Sequence, residues 1–359
     1  MKMKTKGTPW DETRHQVMLE QLKAAEANEV ISFLSKILHR IKLKLTSEDV
    51  SSLNKTKLKA LLKDIRGLFF LIYDKYYDHL SGLLIDVIEL ELNVVINEAI
   101  AAGATTETKK TLYSSLPSPE QLLVAVKNTP FHIQRSRYVG MLLEPLLRDL
   151  SKNLINQILG TVSMGYYEGL TTQQIVTSIV GSKALNYKDG LGSSMRRATI
   201  AIVRTSIQHV AMQTRTKVFS KTPFVKKYQW VSTLDLRTSQ PCRALDGETF
   251  VMGDGPVPPI HIGCRSSIIP IYEGKEFKGL EAGRKRAART GPEPANKQYY
   301  EWLSEQSAET QDEVLGPTLG KLFRQNGMTP EKFRKLSLDR KFHPLTIADL
   351  KSKHPDLWN

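Results

Sequence analysis

The residues in this chain best suited to chemistry sit close together. Both cysteines of the 359-residue sequence, Cys242 and Cys264, lie between Trp230 and Pro270, and His261 precedes the second by three positions. Thiolate and imidazole are the ligands zinc prefers, and a structural zinc site takes four of them in a tetrahedron. Cys242, His261 and Cys264 make three, with Asp235 or a water the nearest source of a fourth. The spacing is irregular and lacks the paired Cys-x-x-Cys of a strong zinc signature. Two other readings stay open: a hydrogen-bonded histidine packed with two small apolar thiols, and a Cys242–Cys264 disulfide. A reducing cytoplasm disfavours the disulfide, whereas an oxidising extracellular setting permits it.

Three short strands must hold these residues. Tyr228–Ser232, Thr249–Met252 and Ser267–Tyr272 have β-forming composition, and Asp246-Gly247 and Asp254-Gly255 supply turns between them. A small antiparallel sheet is expected. Asp235, Arg237 and Asp246 fall in its turns, where an ion-pair network with Arg204 or Arg265 would fix the loops. Pro258-Pro259 favours an extended approach that returns His261 to the sheet.

The element before the sheet reads as a helix from about Met195 to Phe219. Residues 196–229 hold eight Lys or Arg and no acid. Arg197, Arg204 and Arg215 fall within about 20° of one line on a helix. Ile200, Val203, Ile207, Val210 and Val218 collect on a neighbouring face, so the helix can pack on the sheet with its arginines directed outward or into a shared polar network. With Lys221, Lys226 and Lys227, and with Arg284, Lys285, Arg286 and Arg289 further on, these are the candidate phosphate-binding residues. The net charge of +14 points the same way, toward a polyanionic partner.

The rest is largely helical. Val17, Leu19, Leu22, Val30, Phe33, Leu34, Ile37, Leu38 and Ile41 recur at helical spacing, and residues 53–102 contain no proline, so residues 11 to about 102 are expected as long helices forming an arm or bundle. More helix is expected from about Gln134 to Tyr167. Thr171 caps a short helix, a Gly/Ser-rich link spans Gly181–Ser194, and residues 273–296 read as a mobile basic connector. Helix resumes at about Lys297–Phe323, then after Thr329-Pro330 and after Thr346. The expected fold class is α+β, predominantly α-helical, divided as residues 1–170, 171–275 and 276–359. The apolar runs around Leu68–Tyr73 and Leu83–Ile88 fall short of a membrane span, and the polar start Met-Lys-Met-Lys-Thr-Lys is expected to exclude a secretory leader.

The order Trp230, Asp235-x-Arg237-Thr238, Cys242, Leu245-Asp246-Gly247, Pro258-Pro259-x-His261-x-x-Cys264-Arg265 resembles the phage minor head protein family typified by the Mu F protein and the SPP1 head morphogenesis protein. The resemblance extends upstream to Arg204-Thr205 and downstream to Tyr300-x-Trp302-Leu303, Gln311 and Val314-Leu315-Gly316, covering roughly residues 165–350. Many relatives carry a second cysteine after Cys-Arg; Ser266 stands there in this chain. The resemblance implies a protein of few copies per particle that associates with the portal, the major capsid or scaffold proteins, and assists head assembly, DNA packaging or ejection. Some relatives are fused to toxin domains, for which the end at Asn359 is expected to leave no room.

Phosphate-binding Gly-x-x-x-x-Gly-Lys, the Gly-x-Ser-x-Gly elbow and His-Glu-x-x-His are all missing from the sequence. Taken with the resemblance, the expectation is a non-enzymatic virion protein made in the host cytoplasm, contacting phage DNA without sequence preference. The rival is a nuclease-like enzyme with a catalytic metal on Cys242, His261 and Cys264. The remaining histidines are expected to be surface or packing residues.

Overall fold

The computed structural model describes residues 12–101, 104–133, 136–273, 285–294, 296–325, 327–339 and 342–358. Two long helices open the chain, α1 (Glu12–Thr46) and α2 (Lys55–Ala101), followed by α3 (Thr106–Ser115), α4 (Pro119–Lys127), α5 (Leu143–Tyr167), α6 (Thr172–Val180) and α7 (Leu191–Lys221). α5 starts about nine residues later than its apolar pattern suggests, because residues 136–140 form a bend and turns. α6 starts where the sequence places a cap: the Thr171 hydroxyl accepts from Gln174 N, and the Gln174 side chain accepts from Thr171 N.

α7 is the axis of the molecule. α1, α2, α4, α5 and α6 all pack on it, and the sheet closes the remaining side. Every residue from Thr205 to Arg215 is buried. A helix enclosed on all sides has no solvent face, so the basic stripe expected along it is interrupted at the middle.

The sheet consists of β1 (Val225–Val231), β2 (Thr249–Val251) and β3 (Ser267–Tyr272), antiparallel in the order β2-β1-β3, with α8 (Gln240–Leu245) between the first two strands. Trp230 pairs with Ile268 and Gln229 with Thr249. Side chains alternate across a strand, so Tyr228 and Trp230 share one face and both are fully buried.

β4 (Lys285–Arg286) and β5 (Glu293–Pro294) form a two-stranded ribbon, followed by α9 (Tyr299–Ser304), α10 (Ala308–Leu315), α11 (Pro317–Phe323), α12 (Pro330–Leu336) and α13 (Ile347–Lys353). The single helix expected over 297–323 is three short ones. Ser307 caps α10, and Gly316, at a φ of +79° that favours glycine, separates α10 from α11 before Pro317.

The apolar core does not divide at residue 170. One cluster runs from Leu19 and Leu34 through Phe69, Leu147 and Val203 to Trp230, Cys242 and Ile268. A second gathers Leu234 and Ala244 with Tyr300, Trp302, Phe323 and Phe333, so the C-terminal helices also complete their core with residues from the sheet region. Among the described residues no helix is long and apolar enough to cross a membrane.

Candidate functional site

The structure brings Cys242, His261 and Cys264 together beside α7, with one thiol or imidazole atom from each lying within 4.8 Å of the others. Cys242 comes from α8, His261 and Cys264 from the loop entering β3. The Cys242 and Cys264 sulfurs are 3.7 Å apart, and His261 Nε2 is 3.1 Å from Cys242 Sγ. A disulfide has a bond of about 2.05 Å, so the thiols are free here. Both are almost completely buried, while His261 is partly exposed.

Burial pushes the Cys242 thiol well above its usual range, and the sulfur of Cys264 adds to the rise. Burial acts in the same direction on Cys264, but hydrogen bonds with Cys242 and His261 outweigh it, so Cys264 is the first of the two to give up its proton. Burial lowers His261, and its contact with Cys264 more than reverses that. An imidazole beside a thiol readily holds the proton the thiol releases.

Asp235 is not a fourth member. Its carboxylate accepts two hydrogen bonds from Arg265, at 2.7 Å each, and others from Thr238 Oγ1 and Arg237 N. These contacts outweigh the effect of burial and hold Asp235 below the ordinary carboxylate range. The Asp-x-Arg-Thr motif is thus a turn closed on its own backbone, with the Arg237 side chain exposed.

Asp246 does different work. It is fully buried and accepts from Ser232 N, Tyr299 N and both terminal nitrogens of Arg286. Arg286 also donates to the Ser232 and Lys297 carbonyls. The expected pairing of Asp246 with Arg204 or Arg265 is replaced by one with Arg286, which joins the end of β1 to β4 and the start of α9. Gly247, at φ +82°, turns the chain away from Asp246 in contact with Gln298. The bond between Pro258 and Pro259 is cis, and both prolines are buried.

α7 seats this assembly. Thr205 Oγ1 accepts from Gly263 N, and Gln208 donates to the Ser266 carbonyl while accepting from Lys23 of α1. Burial lowers Lys23, and its pairing with Glu20 opposes the shift. Ser266 is hydrogen-bonded to Ser232, whose hydroxyl also contacts Trp230 Nε1 and the Cys242 carbonyl. Sequence reasoning missed Ser239, whose Oγ lies 2.8 Å from His261 Nε2. Its signal was present: a serine before Gln-Pro at a helix start reads as an N-cap, yet its side chain makes no capping bond. Lys23 and Gln208 left no local signal.

The basic candidates separate by environment. Arg215 is fully buried, bonded to Glu98 and Glu91, with His15 at 3.3 Å. Arg286 is buried on Asp246. Neither guanidinium is available to a phosphate, which corrects their assignment as phosphate contacts; a buried guanidinium needs acidic partners because it cannot lose its charge. Arg204 is partly exposed and paired with Glu20. Arg197, Lys221, Lys226, Lys227, Lys285 and Arg289 are exposed, and Arg284 lies outside the described residues.

With this geometry in place, residues 156–269 match the family model described as Phage Mu protein F like protein, roughly a third of the chain. The matched segment runs from within α5 to the middle of β3 and contains Thr205, Trp230, Asp246 and the Cys–His cluster. It makes the chain Mu F-like over that segment and relates it to phage head proteins. Tyr300, Trp302 and Gln311 lie beyond it. Comparison with curated proteins and with solved structures gives no match.

Proposed function

We propose that the protein is a structural component of a phage head, seated at the portal or the inner capsid surface, where it assists head assembly and the passage of DNA. The observation that carries this is the Mu F-like segment, whose motif residues build a closed unit between α7 and the sheet. Cys242 and Cys264 are each about 1 % exposed. A catalytic metal keeps an open coordination position for water or substrate, so the burial of these thiols favours a structural role over the nuclease-like alternative.

DNA contact falls in this reading to the exposed cations. Lys221 at the end of α7 and Lys226 and Lys227 on β1 lie close along the chain, and Lys285 and Arg289 lie on β4 and in the β4–β5 connection. Such contacts neutralise phosphates and carry no base information.

Purified heads of a phage encoding this chain test the proposal. Quantitative mass spectrometry should find the protein at a small fraction of the major capsid copy number, and co-expression with the same phage's portal protein should yield a complex. Removal of residues 1–100 would expose α7 and unfold the core, so the docking test uses surface substitutions on α1 and α2. Heads that lack the protein altogether would overturn the reading.

A further inference from the structure

We propose that Cys242, His261 and Cys264 bind one zinc ion in a closed site, with the Ser239 hydroxyl on its fourth side. The geometry is that of a coordination shell. Two thiolates bound to one tetrahedral zinc at about 2.3 Å stand about 3.8 Å apart, and the Cys242 and Cys264 sulfurs are separated by 3.7 Å. A disulfide would need them far closer.

The histidine is oriented for the same task. Its Nδ1 lies 2.9 Å from the Ile262 carbonyl, which can only accept, so Nδ1 carries a proton and Nε2 faces the cysteines. A backbone carbonyl on the far nitrogen is the usual support of a metal-bound imidazole. Ser239 completes the arrangement: its hydroxyl has left the helix cap it would ordinarily form and sits 2.8 Å from Nε2.

Charge also balances. Zinc with two thiolates and a neutral imidazole carries no net charge, which suits a buried site. Two thiols that become thiolates on binding release two protons per ion. The ion would tie α8 to the loop that Thr205 of α7 holds through Gly263 N, within the larger core and two residues along α8 from Ala244 of the second.

The test uses the full chain, purified reduced and without chelator. Elemental analysis should find about one zinc per chain, and removal by a chelator should lower the melting temperature and make both thiols reactive. Cobalt(II) added to the metal-free protein should give visible bands of a tetrahedral site and a near-ultraviolet sulfur-to-metal band. Cys264→Ser should abolish both bands; because it also alters a buried core residue, Ser239→Ala serves as the mild variant, expected to stay folded and to shift the visible bands. A folded wild-type protein that contains no zinc and shows no sulfur-to-cobalt band would overturn the proposal.

Discussion

Two buried polar centres lie along α7, about ten residues apart, and they solve the same problem differently. At Thr205–Gln208 the helix holds the Cys–His cluster, whose groups can shed charge by moving a proton or by binding a cation. At Arg215 it holds a guanidinium that cannot be discharged, so α2 contributes two glutamates and α1 a histidine around it. The first centre is adjustable, and the second is permanently ionic. Reading the helix as one basic stripe hides this, because its arginines have the same spacing but opposite surroundings.

The sharpest way to break the contrast is Arg215→Gln. It removes the guanidinium from between Glu91 and Glu98 and should cost about 3–5 kcal/mol in urea unfolding. A loss below about 1 kcal/mol would mean that water reaches the centre and that it is not the closed ionic site described.

His209, between the two centres, comes next. It is buried, stacked on Phe131 with ring centres 3.9 Å apart, and its Nε2 donates to the Thr129 carbonyl at 3.1 Å. Burial is the main cause that lowers its pKa to about 4 from 6.5. The unfolded chain therefore takes up a proton near pH 6.5 and the folded chain only near pH 4. Stability should fall as pH drops through that interval, by about 3 kcal/mol from this group. His209→Gln, which keeps a donor for Thr129 but does not titrate, should remove that share of the slope; parallel pH profiles for the two proteins would show that the ring is solvated.

A smaller effect is expected beside the adjustable centre. Asp235→Asn removes the ionic half of the Arg265 pair and should cost about 2 kcal/mol at neutral pH. The cost should shrink in acid, because Asp235 is held below its ordinary range and its contribution is lost as pH falls through the folded-state value. Equal losses at pH 7 and pH 3 would assign the effect to packing.

The smallest effect on stability belongs to the exposed lysines at the end of α7 and the start of β1. Lys221, Lys226 and Lys227 replaced together by Gln should leave unfolding within about 0.5 kcal/mol of wild type. Their effect should appear in DNA binding, where the log–log salt slope flattens by up to about 2.7 units. An unchanged slope would move the DNA contact to Lys285 and Arg289 or to Arg197.

Much of the fold was legible from local pattern. The cap at Thr171, the helix start at Thr329-Pro330, the three strands and the long N-terminal helices follow from spacing and capping, which act within a few residues. The grouping of Cys242, His261 and Cys264 was also legible, because loops and turns of a small sheet return them to one place. The partners of Asp246 were not: Arg286 and the Tyr299 amide reach it from 40 and 53 residues away.

What the sequence determined by itself, then, is the menu of elements and the residues able to do chemistry, since helical period, strand alternation and ligand type are properties of short segments. Tertiary structure alone decided which charges meet water. Arg197 and Arg215 lie on one helical line, yet the first is exposed while the second is enclosed by acids 117 and 124 positions earlier in the chain. A cation carries the same local signature in either setting, and only the packing of α1 and α2 around α7 removes the solvent from one of them.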